Sequence, residues 1–442
     1  MHSQAYPCST ARAARLRLPV RALAALLLLT PKVSLAQDVQ PVQVVDVTFA
    51  TAPIQRNAAL SLTFTDTTVR LSDIAVRSVA GTAFQERGAG GVLLRVAKIA
   101  LLDVPLTHFG QMWNHEMGHA ARAADVGVAA DVSIEGTPWS PSPFSLGPFR
   151  VVDPSRVTTA LGLAGGGVEA EFVQAQILWD RLYREERTSP EDCVSVMLGV
   201  IRNQIYMHQS LNRMTGDTTR DSQPSAGDPS NYVTEMAAEG WAVRDAAGLS
   251  AWGPTMGVPL KRGLWLNLVD FRLWGQSWNL VKYVVTGKQA LDPHWLSLGR
   301  VSLMPFARYV LTPVGPETQI GTAYSAGGTH GDVSVRWTQQ PETPSIRWTQ
   351  PPETFPPGRL VGIGLSWGIR TAHLIQPRLV VDLWRDAQQQ TGTRIEGEVA
   401  RRGWPSSRAS LQVSLGAKTA GYVLGLPNDA GMYGQVGLRT RF

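Results

Sequence analysis

The pentapeptide His115-Glu116-Met117-Gly118-His119 joins residue types and a spacing that metal-assisted hydrolysis requires. On a helix, positions i and i+4 share a face, so two imidazoles meet one metal ion while Glu116 stands one position along, beside a metal-bound water. Zinc suits that set. Two neutral histidines at ~2.0–2.1 Å and one further protein ligand leave a fourth position for water, whose pKa falls towards ~7. Glu116 then takes the proton as the water attacks a carbonyl and delivers it to the leaving amine. The spacing predicts a zinc-dependent peptidase acting on a protein or peptide, with His115 and His119 as metal ligands and Glu116 as general base.

These side chains need a helix under them, and the flanking sequence supplies one. Val92–Gly110 mixes apolar runs with Arg95 and Lys98, and Ala120–Ala124 is a run of helix formers halted at Asp125-Val126-Gly127. A second helix is predicted over Val157–Trp179, where Gly165-Gly166-Gly167 precedes Glu169 and Glu171. Each glycine costs a helix ~1 kcal/mol against alanine, so the run asks for a packing reason, and close approach of the motif helix is one. The two glutamates are ~200° apart at ~100° per residue, so at most one faces the metal. Glu169, beside the glycines, is the preferred third ligand, with Glu171 the alternative and Asp125, six residues after His119, behind both. A third helix, Cys193–Met214, carries Tyr206 and His208, each read either as an oxyanion stabiliser or as an ordinary core or surface residue.

The run His115-Glu116-x-Gly118-His119-Ala120, followed by Ala123 and then Gly127-Val128, resembles the first motif of the site-2 protease type of zinc metallopeptidase. The resemblance implies a small-residue helix ending in a glycine and followed by a strand, which residues 127–136 fit. It extends no further. The family's second motif, a Leu-Asp-Gly whose Asp completes the zinc site, has no counterpart, since Asp270 is followed by Phe271 and Asp292 by Pro293. The family's catalytic helices lie in the bilayer, whereas here no stretch reaches ~18 uncharged apolar residues.

Residues 1–36 read as an export signal: Arg12, Arg15, Arg17 and Arg21 precede the apolar Ala22–Leu29, and Ser34-Leu35-Ala36 gives a small-x-small cleavage pattern before Gln37. Cleavage removes Cys8 and leaves Cys193 as the single thiol, so no intramolecular disulfide forms. Among Val194, Val196 and Met197, Cys193 reads as a buried core thiol rather than a nucleophile. With 44% hydrophobic residues over 442 positions the chain has enough apolar surface for a sizeable core and more than one domain. The net charge of +6 is spread without a basic block, which argues against a nucleic-acid partner.

Residues 37–90 are expected to form a short β-rich segment through Val42–Phe49 and Leu60–Leu71, and 91–299 the helical metallopeptidase region. Thr137–Pro154, rich in Pro and Ser, reads as a loop, and Val233–Ala247 and Leu264–Val285 as helices. From 300 to 442 the period changes to two. Val361, Ile363, Leu365, Trp367 and Ile369 alternate with Gly362, Gly364, Ser366, Gly368 and Arg370. Similar stretches at 301–312, 318–325, 331–337, 375–383, 393–401, 411–415 and 432–442 bring the count to about eight strands, enough for a small closed barrel. The last strand ends on Phe442, resembling the C-terminal strand of bacterial outer-membrane barrels. A duplicated Arg-Trp-Thr-Gln, at Arg336–Gln339 and Arg347–Gln350, carries prolines that forbid a central strand and so lengthens a loop.

The expectation is therefore an α+β chain, with a helical zincin-like catalytic region followed by an antiparallel β region over 300–442, either a small outer-membrane barrel of about eight strands or an antiparallel sheet packed on the helices. The protein is exported, with the outer membrane as its expected address through the β region and the periplasm as the alternative. The competing function is a non-enzymatic outer-membrane or envelope structural protein with a vestigial metal motif.

Overall fold

The computed structural model describes residues 44–441 apart from 126–131, 134–136, 140–144, 147–156, 186–187, 217–259, 261, 294, 313, 339–359, 370–374, 386–389, 403–408 and 428. The expected signal segment, the 233–247 helix, most of the 137–154 loop, the second copy of the duplication and Phe442 lie outside the described residues.

Strand β1 (Val44–Ala50) leads after two residues into α1 (Pro53–Ala80), with Pro53 in the first turn, where its missing N–H is not needed. Helix α1 stops at Gly81, which takes φ 56°. This corrects the expectation of a strand at Leu60–Leu71. The segment's threonines and valine favour strands by local propensity, but Ser61, Thr65, Asp66 and Arg70 are buried against other helices at helical spacing, and tertiary packing wins. Helix α2 (Ala89–Lys98) runs through a π-helical turn (Ile99–Asp103) into α3 (Val104–Asp125), which carries the motif and ends at Asp125, as its stop signal predicts.

After the short pair β2 (Val132–Ser133) and β3 (Ser145–Leu146) come α4 (Val157–Glu185), α5 (Pro190–Gly216), a 3-10 turn (Trp265–Leu268) and α6 (Phe271–Thr286). Asp270 caps α6 by accepting from the Arg272 N–H at 2.9 Å, which splits the expected 264–285 helix in two. The remaining strands are β4 (Leu296–Leu298), β5 (Val301–Thr312), β6 (Gly315–Ala326), β7 (Thr329–Thr338), β8 (Val361–Ile369), β9 (Ile375–Arg385), β10 (Thr391–Arg402), β11 (Ala409–Lys418) and β12 (Gly431–Arg441).

The chain is thus α+β. All eight C-terminal strands read from the sequence form, and β4 and β1 extend them to a ten-stranded antiparallel sheet ordered β1-β12-β11-β10-β9-β8-β7-β6-β5-β4. Val44 pairs with Arg441, so the N-terminal strand covers the edge of the C-terminal one. Among the described residues no ladder joins β1 to β4, so of the two expected forms the closed eight-strand barrel is corrected and the antiparallel sheet is found, with ten strands. The two edges lead into helices instead: α1 follows β1 at once, and α6 precedes the three-residue β4.

Helix α4 packs on one face of the sheet, over β5, β6 and β7, and charged and amide side chains line much of that side. Arg308 Nη1 donates to Gln176 Oε1 at 3.0 Å and Arg378 Nη1 to Asp180 Oδ2 at 3.0 Å. Between them lies a cavity of about 170 Å³ lined by Arg181, Asp382, Arg394 and Glu396 among others. The other face is apolar and exposed: Val361, Ile363, Leu365 and Trp367 of β8 point outward while Gly362, Gly364, Ser366 and Gly368 are buried. The aliphatic core sits between α4, α5 and β5, around Val168, Phe172, Met207, Tyr309 and Leu311.

Candidate metal centre

Helix α3 is held on three sides by hydrogen bonds to its backbone or from its side chains. From α1, Asn57 Nδ2 donates to the Met117 carbonyl at 3.1 Å and Ser61 Oγ to that of Gly110 at 2.6 Å. On α3 itself, Asn114 Nδ2 donates to the Ala170 carbonyl of α4 at 2.8 Å, and Gln111 Nε2 to the Ser195 carbonyl of α5 at 2.9 Å. Such buried amide-to-carbonyl bonds fix the rotation of α3 about its axis, and with it the direction of its histidines.

Glycines set the distance. A Cβ on Gly118 would stand 2.3 Å from the Gly166 carbonyl oxygen and 2.6 Å from Ala170 Cβ, so α3 and α4 meet backbone to backbone at this point. The packing role expected of the Gly165–Gly167 run is the one it has. At Gly167 the neighbours are the histidines: a Cβ there would lie 2.5 Å from His115 Nε2 and 2.5 Å from His119 Nε2. Two atoms each 2.5 Å from one point are at most 5.0 Å apart (2.5 + 2.5), so both Nε2 atoms share one small space over α4. The rings stand edge to face, centroids 5.0 Å apart and planes at 77°. Glu116, next along the helix, is half-buried.

The carboxylate beside the pair is Glu171. Its Oε1 lies 2.8 Å from His115 Nδ1 and also accepts from Arg202 Nη1, while its Oε2 is buried without a hydrogen-bond partner. Burial alone would raise this carboxyl, but Arg202 and His115 outweigh it and hold it below the usual carboxylate range. Across the 2.8 Å contact an ionised Glu171 accepts a proton from Nδ1 of His115, and in the neutral ring with that tautomer the lone pair is on Nε2, the atom that faces His119 across Gly167.

Glu169, the preferred third ligand, has its carboxylate held by other partners. Arg122 clamps it through Nη2 to Oε1 at 2.6 Å and Nε to Oε2 at 2.9 Å, and Oε1 also accepts from the Tyr422 hydroxyl at 3.2 Å and the Gly425 N–H at 2.9 Å. A buried carboxylate is drawn to the nearest buried guanidinium, and Arg122 is three residues past His119 on α3. Asp125 is taken by the same arginine, Nη1 to Oδ2 at 2.9 Å. Tyr206 stands edge-on to His115 with ring centroids 5.5 Å apart, whereas His208 lies against Trp265 at 6.1 Å. Cys193 is buried, as expected, and donates to Gln276 Oε1 at 3.0 Å.

Arg122, Arg202 and Tyr422 were not singled out from the sequence. Arg122 carried a signal, a charged residue inside a run of alanines on the motif helix, but its partner lies 47 positions away. The donor set fits a zinc ion in two respects, paired Nε2 atoms and an orphaned buried carboxylate oxygen on the residue that orients one of them. Among the described residues no group of three or more His, Cys, Asp or Glu side chains is placed to hold a metal ion. No protein-family model matches the chain, and no curated protein matches it significantly.

Proposed function

We propose that the chain is an exported zinc-dependent metallopeptidase of the HExxH type, seated in the outer membrane by the apolar face of its sheet. The observation that supports the catalytic half is the convergence of His115 Nε2 and His119 Nε2 on one point over Gly167, with Glu171 on the far nitrogen of His115. A zinc ion bound there would supply a water of lowered pKa and a Lewis acid for the substrate carbonyl. His115 and His119 would hold the ion through Nε2. Glu171 takes the place expected of Glu169 as the carboxylate of the site, keeping His115 in the tautomer that presents Nε2. Glu116 accepts the proton and passes it to the leaving amine.

The membrane half rests on the sheet's polarity. On β10, Ile395 and Val399 face outward and Glu396 and Glu398 inward, and exposed Thr391 and Arg401 bracket the apolar stretch. The ten steps from Thr391 to Arg401 at ~3.3 Å each span ~33 Å, which suits a tilted strand in a hydrocarbon layer of ~30 Å. Apolar-out and polar-in is the pattern of outer-membrane strands and the reverse of a soluble sandwich. A second reading, a non-enzymatic envelope protein, is favoured by the enclosure of the pair, since His115 and His119 are only 4% and 5% exposed.

Digestion of a peptide library by the full chain and by Glu116→Gln separates the two. The peptidase reading expects cleavage by the wild type and a loss of roughly 10²–10⁴-fold in the variant. Equal rates, or none in the zinc-loaded wild type, sink it.

A further inference from the structure

The helical side of the molecule has the same inverted polarity as the sheet. In α6 the exposed residues are Trp274, Trp278, Val281 and Val285, all apolar and at helical spacing, while Arg272, Gln276 and Asn279 are buried. In α2 and the turn after it, Leu93 is 69% exposed and Leu101 64%, whereas Arg95 and Lys98 are 0% and 2% exposed. The Lys98 Nζ is surrounded by Asp73 Oδ1 at 3.1 Å, Asp103 Oδ2 at 2.9 Å and Glu191 Oε1 at 2.8 Å, so the charges are spent inward. Along α1, Phe64, Leu71 and Ile74 are exposed and Asp66, Arg70 and Asp73 buried. A helix in water turns its charges out and its leucines in.

These helices also bridge the open side of the sheet. At one edge Gln435 of β12 donates to Gln55 of α1 at 3.0 Å. Asp73 of α1 meets Lys98 of α2, and Arg95 Nε of α2 donates to the Val284 carbonyl of α6 at 2.8 Å. At the other edge the Arg272 guanidinium of α6 lies 4.3 Å from the ring centre of Phe306 on β5. Exposed charges stand at the ends of the apolar stripes: Arg56 near the start of α1, Glu86 and Arg87 before α2, Arg262 and Lys288 on either side of residues 265–286.

We infer that α1, α2 and α6 complete the sheet into one closed wall of mixed strands and helices, and that lipid acyl chains cover the helical part of that wall as well as the strands. The inference rests on the membrane half of the proposed function. An open sheet edge in hydrocarbon would leave backbone groups unsatisfied, and here each edge strand adjoins a helix in the chain, α1 after β1 and α6 before β4. No described helix is long and apolar enough to cross a membrane. Averaged hydropathy conceals the outward stripe, because each of these helices carries its charges on the side turned into the protein.

Single cysteines in a Cys8→Ser background provide the test, since Cys193 is buried. The full chain is labelled with an environment-sensitive fluorophore at Leu365→Cys on β8, Leu93→Cys on α2 or Val281→Cys on α6. Each is reconstituted in phosphatidylcholine vesicles with and without doxyl-labelled acyl chains. The inference expects at least twofold quenching at all three positions. Quenching at Leu365 without quenching at both Leu93 and Val281 overturns the closed mixed wall and leaves the sheet in the membrane. Absence of quenching at all three overturns the membrane reading itself.

Discussion

Glu171 Oε1 and His115 Nδ1 lie 2.8 Å apart, and this contact decides which nitrogen of His115 faces the site. Replacing Glu171 by Gln removes the charge that keeps the proton on Nδ1 while preserving side-chain volume. Zinc affinity is expected to fall about 10–100-fold, the usual consequence of losing a carboxylate behind a histidine ligand. Competition with a chromophoric chelator measures it, and unchanged affinity would remove Glu171 from the site.

Glu169 is held by Arg122 on the motif helix. It shares a fully buried pair with Arg122, so Glu169→Ala leaves a guanidinium with less than its charge compensated. The expected cost is about 3–5 kcal/mol of stability, read as a lowered unfolding midpoint. Zinc stoichiometry in the folded fraction should stay at the wild-type value, and its loss there would return Glu169 to the metal.

The strands and the motif helix were legible because their signals are local. Val361 to Ile369 alternates strictly, and His115-Glu116 with the following alanines ends at Asp125 as a helix should. Helix α1 was not, because Leu60-Ser61-Leu62-Thr63-Phe64-Thr65 alternates like a strand and its polar residues face inward. Periodicity shows that a segment has two faces, and only the environment shows which is outside. The partners of Glu169 and Glu171 were hidden for a related reason. The wheel separated them correctly, but the partner that claims Glu169 includes Tyr422 and Gly425, more than 250 positions along the chain. The register of β1 on β12 is equally non-local, since nothing in Val44–Ala50 names its neighbour.

Gly167→Ala tests the shared space directly. The added methyl would stand 2.5 Å from both Nε2 atoms, with the α4 backbone behind it, so the imidazoles must part. Zinc binding is expected to weaken at least tenfold. Gly397→Ala, where a Cβ would meet nothing within 4 Å, should leave binding unchanged. Equal affinities in the two variants would contradict the geometry.

Cys193 should be inert in the folded protein. It is buried, and that burial pushes its thiol well above the ordinary range, beyond what its hydrogen bond with Thr188 offsets. A Cys8→Ser chain treated with a thiol-reactive disulfide at pH 8 is expected to release no chromophore until denaturant is added. Prompt reaction under native conditions would place the thiol at the surface.

The most direct measurement of the paired-imidazole site is the zinc content of purified, zinc-loaded full chain after extensive dialysis, taken alongside His115→Ala. About one zinc per wild-type chain, and none in a folded His115→Ala variant, is the expected result. Folded wild-type protein that retains no metal, or a variant that retains as much as the wild type, would contradict a zinc site at His115 and His119.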